Sequence, residues 1–163
     1  MLQAEGEFAL VTQYMEKALQ SPLWFWGKFN LYALLIDTAA QQRNLEALRQ
    51  YIVPAEESAL QNDHHLYIGV AYRAKGVMYR LMDDYREAEL WLTKALEIFE
   101  KLETRWQIGR TFYELGELAH LQDNTIAARE HYSHSLANFE AIGAMPDANR
   151  TRIALDTLNI TPQ

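Results

Sequence analysis

Cysteine is absent from this 163-residue chain, which excludes disulfides, cysteine-based catalysis and thiolate metal sites. Basic residues are few, with 15 Lys and Arg against 22 Asp and Glu, so the formal net charge is −7. Because phosphate binding depends on an excess of basic contacts, this charge argues against nucleic acid as a partner. The sequence has no signal-type opening and no apolar run near the roughly 18 residues that cross a bilayer. These absences favour a cytoplasmic protein that does not bind membranes.

Catalytic motifs are missing as well, since the chain has no glycine-rich phosphate loop, no H-E-x-x-H and no nucleophile elbow. His131 and His134, with Glu130 beside them, lie three residues apart on a predicted helix and could approach a metal from one side. Two ligands leave such a site incomplete, because a metal needs three or four that converge. The other histidines belong to different helices or turns: His64, His65 and His120. We therefore predict no enzyme activity, no metal and no cofactor.

An internal repeat occupies residues 74–142. Five residues return in one register after 40 positions: Gly76 as Gly116, Leu81 as Leu121, Ala88 as Ala128, Leu96 as Leu136 and Phe99 as Phe139. A repeat of this length with helical periodicity indicates units that cannot bury their apolar faces alone and must stack on neighbours. The sequence therefore predicts a stack of similar helical units that presents a surface to a partner.

Each copy of the repeat carries one apolar stripe at helical spacing. The first stripe is Ala88, Leu92, Ala95, Leu96, Phe99 and Leu102, and the second is Ala128, Tyr132, Ser135, Leu136, Phe139 and Ile142. A shorter helix precedes each stripe, and the junctions 82–84 and 122–124 contain the Asp and Asn side chains that cap helix starts. Each unit is therefore predicted to be a helical hairpin.

These hairpins resemble the tetratricopeptide repeat family, whose pattern is W-x2-L-G-x2-Y, then A-x3-F, then P. The matching residues are Leu115-Gly116, Gly76-Val77-Met78-Tyr79, Ala88-x3-Leu92 and Ala128-x3-Tyr132. The departures are Tyr72 and Phe112 for Trp, Lys75 for Leu, Ala119 for Tyr, and Glu100 and Glu140 for Pro. The 40-residue spacing is similar to the long variety found in bacterial signalling ATPases, cyclase-linked regulators and the maltotriose-responsive transcription activator. HEAT or armadillo repeats are the structural alternative.

The whole chain, 1–163, is predicted to be one all-α domain, a right-handed α-solenoid of about eight helices in stacked antiparallel hairpins. Its segments are a capping or half-repeat helix at 1–20, a degenerate repeat at 21–62, repeats at 63–103 and 104–143, and a C-terminal capping helix at 146–158. The first segment aligns with the second helix of a hairpin, which leaves open an array that continues upstream in a longer protein.

The resemblance implies that the first helices of the hairpins line a concave groove and that the second helices form its outer wall. The residues that this register assigns to the groove are Asp37, Arg73, Arg80, Arg110, Tyr113, Glu117, His120 and Arg150. Four of them are arginines, and guanidinium groups form bidentate bonds to carboxylates and phosphates. The groove is therefore expected to bind an acidic peptide segment or a small anionic ligand. The alternative is that these arginines pair internally with Asp37, Glu114 or Glu117.

Two further features bear on partners. The family's chaperone-binding variant has Asn one residue after the glycine position, where Val77 and Glu117 stand here, which argues against recognition of a chaperone tail. The aromatic stretch 23–29 either fills the first hairpin or makes an oligomer or interdomain contact through Trp24, Trp26 and Phe29.

Taken together, the sequence predicts a non-enzymatic protein–protein interaction module that binds a peptide segment or partner domain in a concave, arginine-lined groove. The resemblance implies a regulatory part of a bacterial signalling or transcription-control system. The alternatives are a sensor domain for a small anionic ligand and a self-association scaffold.

Overall fold

The computed structural model describes residues 2–20 and 28–160, and within them all side chains but those of 2–9, 11, 28, 29, 159 and 160. These residues form eight helices and no strand: α1 (Leu2–Leu19), α2 (Lys28–Gln41), α3 (Leu45–Gln61), α4 (His65–Leu81), α5 (Tyr85–Lys101), α6 (Arg105–Leu121), α7 (Thr125–Ala141) and α8 (Met145–Ile160). The all-α prediction is confirmed. Trp24, Trp26 and the side chain of Phe29 lie outside the described residues, so the oligomer contact stays a prediction.

The helices pack in chain order, with α4 against α5 and α6 against α7 as the two most extensive pairs. Helix α4 also contacts both α2 and α6, so these three lie side by side in one layer. Neighbours that stack in this way form a helical-repeat solenoid, as the repeat predicts. The last helix was expected at 146–158 and is slightly longer, since it runs from Met145 to Ile160. Pro146 is tolerated there, since the amide that it lacks has no partner in a first helical turn.

The same three-residue turn joins every pair of consecutive helices from α2 to α8. The second residue of each turn has a positive φ, between 49° and 69°, and these residues recur every 20 positions: Arg43, Asp63, Asp83, Glu103, Asp123 and Gly143. In the turn after α4, the amide of Asp84 donates to the Tyr79 carbonyl at 3.0 Å, and the amide of Asp83 donates to the Arg80 carbonyl at 3.2 Å. This Schellman pattern satisfies the last carbonyls of each helix. The repeating unit of the backbone is therefore one helix and one turn.

The third turn residue caps the next helix at three junctions. The side chains of Asn44, Asp84 and Asn124 accept hydrogen bonds from amides three residues later, at distances of 3.0, 3.2 and 3.1 Å. The predicted caps at the junctions 82–84 and 122–124 are therefore confirmed.

Replacing Glu103 with glycine should stabilise the protein by about 1 kcal/mol, because a left-handed backbone costs a side-chain-bearing residue about 1–2 kcal/mol. The reverse change, Gly143→Ala, should destabilise by a similar amount, since nothing lies within 4 Å of the added Cβ and only the backbone is strained. Urea unfolding measures both effects. Changes of the same sign in the two variants would contradict this interpretation of the turns.

The predicted apolar stripes form the contact between paired helices. Ala88, Leu92, Ala95 and Phe99 on α5, and Ala128, Tyr132, Ser135 and Phe139 on α7, are all at most 2% exposed. The last stripe residues, Leu102 and Ile142, are 39% and 44% exposed, because they lie just after the ends of α5 and α7, in the turns that follow. The stripes hold each hairpin together and leave the other face of α4 and α6 for polar side chains.

Candidate functional site

Asp37 on α2 binds two arginines from different helices. Its Oδ1 accepts a hydrogen bond from Arg73 on α4 at 2.9 Å, and its Oδ2 accepts one from Arg110 on α6 at 2.7 Å. The Arg73 side chain is only 2% exposed and also donates to the Gln107 side chain at 2.5 Å. Arg110 is 12% exposed. One carboxylate therefore joins three helices of the same layer.

Glu114 on α6 makes a second junction of the same kind. Its Oε2 accepts hydrogen bonds from Arg43, in the turn after α2, and from Arg80 on α4, both at 2.7 Å. The side chains of Arg43 and Arg80 are 25% and 5% exposed. Glu117 lies one helical turn away from Glu114, 3.6 Å from Arg43 and 3.9 Å from Arg80.

Two of these pairs, Asp37–Arg110 and Arg43–Glu114, pass over α4 and connect the α2 end of the layer directly to α6. We call these two pairs the clasp. The partners are 73 and 71 residues apart in sequence. Their contact requires the layer to curve enough for side chains of the two outer helices to meet. The clasp therefore closes the inner face of the array over α4.

Three of the four arginines predicted to line the groove are paired within the chain. Arg73 and Arg80 are buried, and both pair with Asp37 or Glu114, as does Arg110. The internal pairing that the sequence left as the alternative is therefore what the structure contains. The physical reason is the curvature of the layer, which brings carboxylates of α2 and α6 within hydrogen-bond distance of α4. The hollow over α4 is filled by the chain's own ion pairs.

The pKa values of the Asp37 and Glu114 carboxyl groups both lie below their ordinary values. Burial alone would raise the pKa of Asp37, but the charges of Arg73 and Arg110 outweigh it and hold that pKa below its ordinary value of 3.8. Burial likewise opposes ionisation of Glu114, and Arg43 and Arg80 hold its pKa below 4.5. Burial, with Arg110 nearby, lowers the pKa of Arg73 to about 10, which leaves it charged at neutral pH. The pairs are therefore fully charged under physiological conditions.

These lowered pKa values predict how stability depends on pH. The stabilisation is complete above the ordinary carboxyl values and is lost as the pH falls through the lower values of the folded state. Urea unfolding between roughly pH 7 and pH 3 should therefore show a steep loss of stability on acidification. Asp37→Asn should reduce the slope of the unfolding free energy against pH, because residue 37 then no longer takes up a proton on unfolding. An unchanged slope in the variant would argue against the Asp37 pairs.

A cavity of about 510 Å³ opens between α6 and α8, next to the closed hollow. It is lined by Tyr113, Glu117, His120, Tyr132, Pro146, Asn149, Arg150, Ile153, Ala154, Thr157 and Leu158. Four of these are predicted groove residues, namely Tyr113, Glu117, His120 and Arg150. Glu117 accepts a hydrogen bond from the Tyr132 hydroxyl at 2.7 Å, so these two side chains form a polar part of the cavity wall. Ile153, which is 68% exposed, contributes an apolar wall.

Arg150 is the exposed arginine of the predicted set. Its guanidinium carbon lies 4.2 Å from the centre of the Tyr113 ring, a cation–π contact that orients the side chain. No carboxylate of the described residues lies within the 4.0 Å ion-pair distance of Arg150. Arg110 makes a similar contact with Trp106 at 4.7 Å. A smaller cleft is bordered by both arginines, both rings and the carboxylates of Glu114 and Asp147, so it continues the cavity toward the start of α6. Asp147 accepts a hydrogen bond from the Trp106 indole at 3.1 Å.

The local charge of this region is positive although the chain is acidic. Five arginines (Arg43, Arg73, Arg80, Arg110 and Arg150) face four carboxylates (Asp37, Glu114, Glu117 and Asp147), so 5 − 4 leaves +1. The excess lies at the α8 side, because the buried arginines are bonded to carboxylates. The cavity therefore combines an available cation with apolar and aromatic walls.

The sequence did not indicate three residues of this region: Arg43, Trp106 and Gln107. Arg43 lies in a turn, outside the helical register that assigned the groove, and has a φ of 56°. The sequence feature that could have identified Arg43 is its position in the same 20-residue series of turn residues as Asp83 and Asp123. Trp106 lies one turn before Arg110 on the same face of α6, so extending the register by four residues would have included it.

Among the described residues, no group of three or more His, Asp or Glu side chains could hold a metal ion. The rings of His131 and His134 lie 6.1 and 5.0 Å from that of Phe112, in stacked orientations. Within the same part of the chain, no helix has both the length and the apolar character needed to cross a membrane.

Comparison with known proteins gives a likeness in fold. No family model matches the chain, and no curated protein matches it. A solved structure described as "Crystal structure of BtubC (BKLC) from P. vanneervenii" superposes with a TM-score of 0.63 at 15% sequence identity. The match covers 99% of this chain and 78% of that one. At this identity the likeness concerns the fold alone, and the chain is therefore similar in architecture to BtubC along nearly its whole length.

Proposed function

We propose that this protein is a non-enzymatic, tetratricopeptide-like interaction module that binds an acidic peptide segment in the groove between α6 and α8. We define this α6–α8 groove by Arg110, Tyr113, His120, Arg150 and Ile153. The observation that supports it most is the exposed Arg150, held on the Tyr113 ring at the mouth of a 510 Å³ cavity without a carboxylate partner among the described residues. The clasp closes the hollow over α4, so the α6–α8 groove is the accessible part of the inner face.

The shape of the groove favours an extended segment. The cavity and the smaller cleft share Tyr113 and Arg150, so they follow one face of α6 from Trp106 to His120. The fourteen residue steps from Trp106 to His120 span about 21 Å at 1.5 Å rise per residue. An extended chain of about six residues has that length at roughly 3.3 Å per residue. Arg150 then receives an acidic side chain, and the wide end of the groove receives an apolar one.

The test is a selection of ten-residue peptides from a displayed library against the wild-type protein, followed by affinity measurements on purified variants. We expect selected peptides to contain acidic residues, and Arg150→Glu to weaken their binding by at least about tenfold, the effect of 1.4 kcal/mol. The control is Arg86→Glu, an exposed arginine on α5, which should leave affinity unchanged. A library that yields no binding peptide, or equal affinity loss in both variants, would contradict the proposal.

A small anionic ligand is the second candidate, because 510 Å³ lies within the roughly 300–1,000 Å³ of many small-molecule sites. Binding of such a ligand would need only the wide end near His120 and Tyr132 and not the length of α6. Ile153→Asn separates the two, since it removes an apolar contact without adding charge and should weaken peptide binding more than binding of a small polar anion.

The cellular setting proposed here is a regulatory part of a cytoplasmic bacterial signalling or transcription-control system. It rests on the resemblance to long tetratricopeptide repeats. Self-association through the aromatic stretch 23–29 is a separate expectation, and sedimentation of Trp24→Ala and Trp26→Ala variants tests it.

A further inference from the structure

Each of the two junctions in the ion network has one buried and one more exposed arginine. Asp37 binds Arg73, which is 2% exposed, and Arg110, which is 12% exposed. Glu114 binds Arg80, which is 5% exposed, and Arg43, which is 25% exposed. In both cases the buried partner comes from the adjacent helix α4, and the more exposed one completes the clasp.

This asymmetry makes the clasp separable from the rest of the network. If Arg110 leaves Asp37, the carboxylate keeps its 2.9 Å bond to Arg73, and the departing guanidinium becomes hydrated. If Arg43 leaves Glu114, the bond to Arg80 at 2.7 Å remains. Neither event leaves a buried charge without a partner, which is the costly outcome for an internal ion pair. The contacts between adjacent helices therefore survive when the contact across α4 is lost.

The clasp also shares a residue with the α6–α8 groove. Arg110 donates to Asp37 on one side, and on the other it borders the cleft that contains Arg150. A carboxylate placed beside Arg150 would lie within the reach of Arg110 and would compete with Asp37 for its guanidinium. Arg110 is held against the Trp106 ring, so it can change its carboxylate partner with little change of its own position.

We propose that the clasp is a latch: it fixes the curvature of the α2–α4–α6 layer, and an acidic segment in the α6–α8 groove releases it by drawing Arg110 away from Asp37. The inference rests on the proposed function for its ligand, while the latch itself belongs to the free protein. Release lets α2 and α6 move apart about α4 and opens the inner face.

The latch is tested without a ligand by measuring the distance between the two ends of the layer. The chain has no cysteine, so Gln42→Cys and Gln122→Cys place two spin labels at exposed turn positions two repeats apart. In this background, Arg43→Gln with Arg110→Gln removes both clasp pairs and keeps the α4 pairs. Pulsed electron paramagnetic resonance should then show a longer or broader distribution of the distance between the two labels, with helix content unchanged.

The matched control is Arg152→Gln, which removes an exposed ion pair with Glu140, bonded at 2.5 Å, outside the layer. It should leave the distance distribution as in the parent. A distribution in the Arg43→Gln, Arg110→Gln protein that also equals the parent's would overturn the latch.

The ligand arm uses a hexaglutamate peptide as the probe, with binding measured by calorimetry and distance measured on the same labelled protein. Binding with a shift toward the distribution of the clasp variant supports release. Binding without a shift overturns release and leaves the proposed function intact. No binding overturns acidic recognition in the groove, while the clasp variant still decides whether the latch exists.

Discussion

Asp37→Ala should lower the free energy of unfolding by about 3–5 kcal/mol, the usual cost of removing one partner from a buried ion pair. Arg73 is 2% exposed, and with Asp37 gone its remaining polar partner is Gln107. A buried guanidinium without a counter-charge is poorly solvated, and Arg110 would add like-charge repulsion. The loss should therefore far exceed that of an ordinary surface ion pair.

Urea unfolding at neutral pH measures this effect, with Glu140→Ala as the matched control. Glu140 also binds one arginine, Arg152, but both side chains are exposed, so its removal should cost no more than about 1 kcal/mol. Losses of equal size in the two variants would show that the Asp37 pairs are not desolvated as described.

Gly76→Ala should destabilise the protein by about 1–3 kcal/mol, although alanine is the better helix former by about 1 kcal/mol. A Cβ at Gly76 would lie 2.6 Å from Cγ of Leu92 and 3.1 Å from the carbonyl oxygen of Ala88. Helices α4 and α5 would therefore have to separate, or Leu92 would have to leave its fully buried position.

A double-mutant cycle tests that cause. Leu92→Ala removes the colliding atoms, so Gly76→Ala combined with Leu92→Ala should cost less than the sum of the single changes. Strict additivity would locate the effect elsewhere than at this contact. The same geometry recurs at Gly116, where the added Cβ would lie 2.6 Å from the Tyr132 ring.

The fold was predictable because its determinants are local and repeated. The 40-residue register, the apolar stripes and the caps at Asp84 and Asn124 each follow from residues within one hairpin. The 20-residue period of the turns was harder to find, because five of its six left-handed residues are not glycine. Asp, Arg and Glu at those positions give no strong signal of a left-handed helix end, and Gly143 is the one glycine in the series.

The sequence predicted which residues lie at the site, but not whether their charges are paired within the chain. The register placed Arg73, Arg80 and Arg110 on the correct face, and Asp37 with them. Whether they bind a partner or each other depends on the distance between α2 and α6, which is set by the tilt accumulated over two hairpins. No local pattern encodes that distance. Arg150, beyond the reach of the α2 carboxylate, remained accessible for the same geometric reason.

The contact of α2 with α6 across α4 is tested most directly by the coupling free energy between Asp37 and Arg110, measured with Asp37→Asn, Arg110→Gln and the double variant. A contact of 2.7 Å between α2 and α6 predicts a coupling free energy of about 1–3 kcal/mol in urea unfolding. Coupling near zero would mean that the two helices do not meet across α4, and the clasp and the closed hollow would both be wrong.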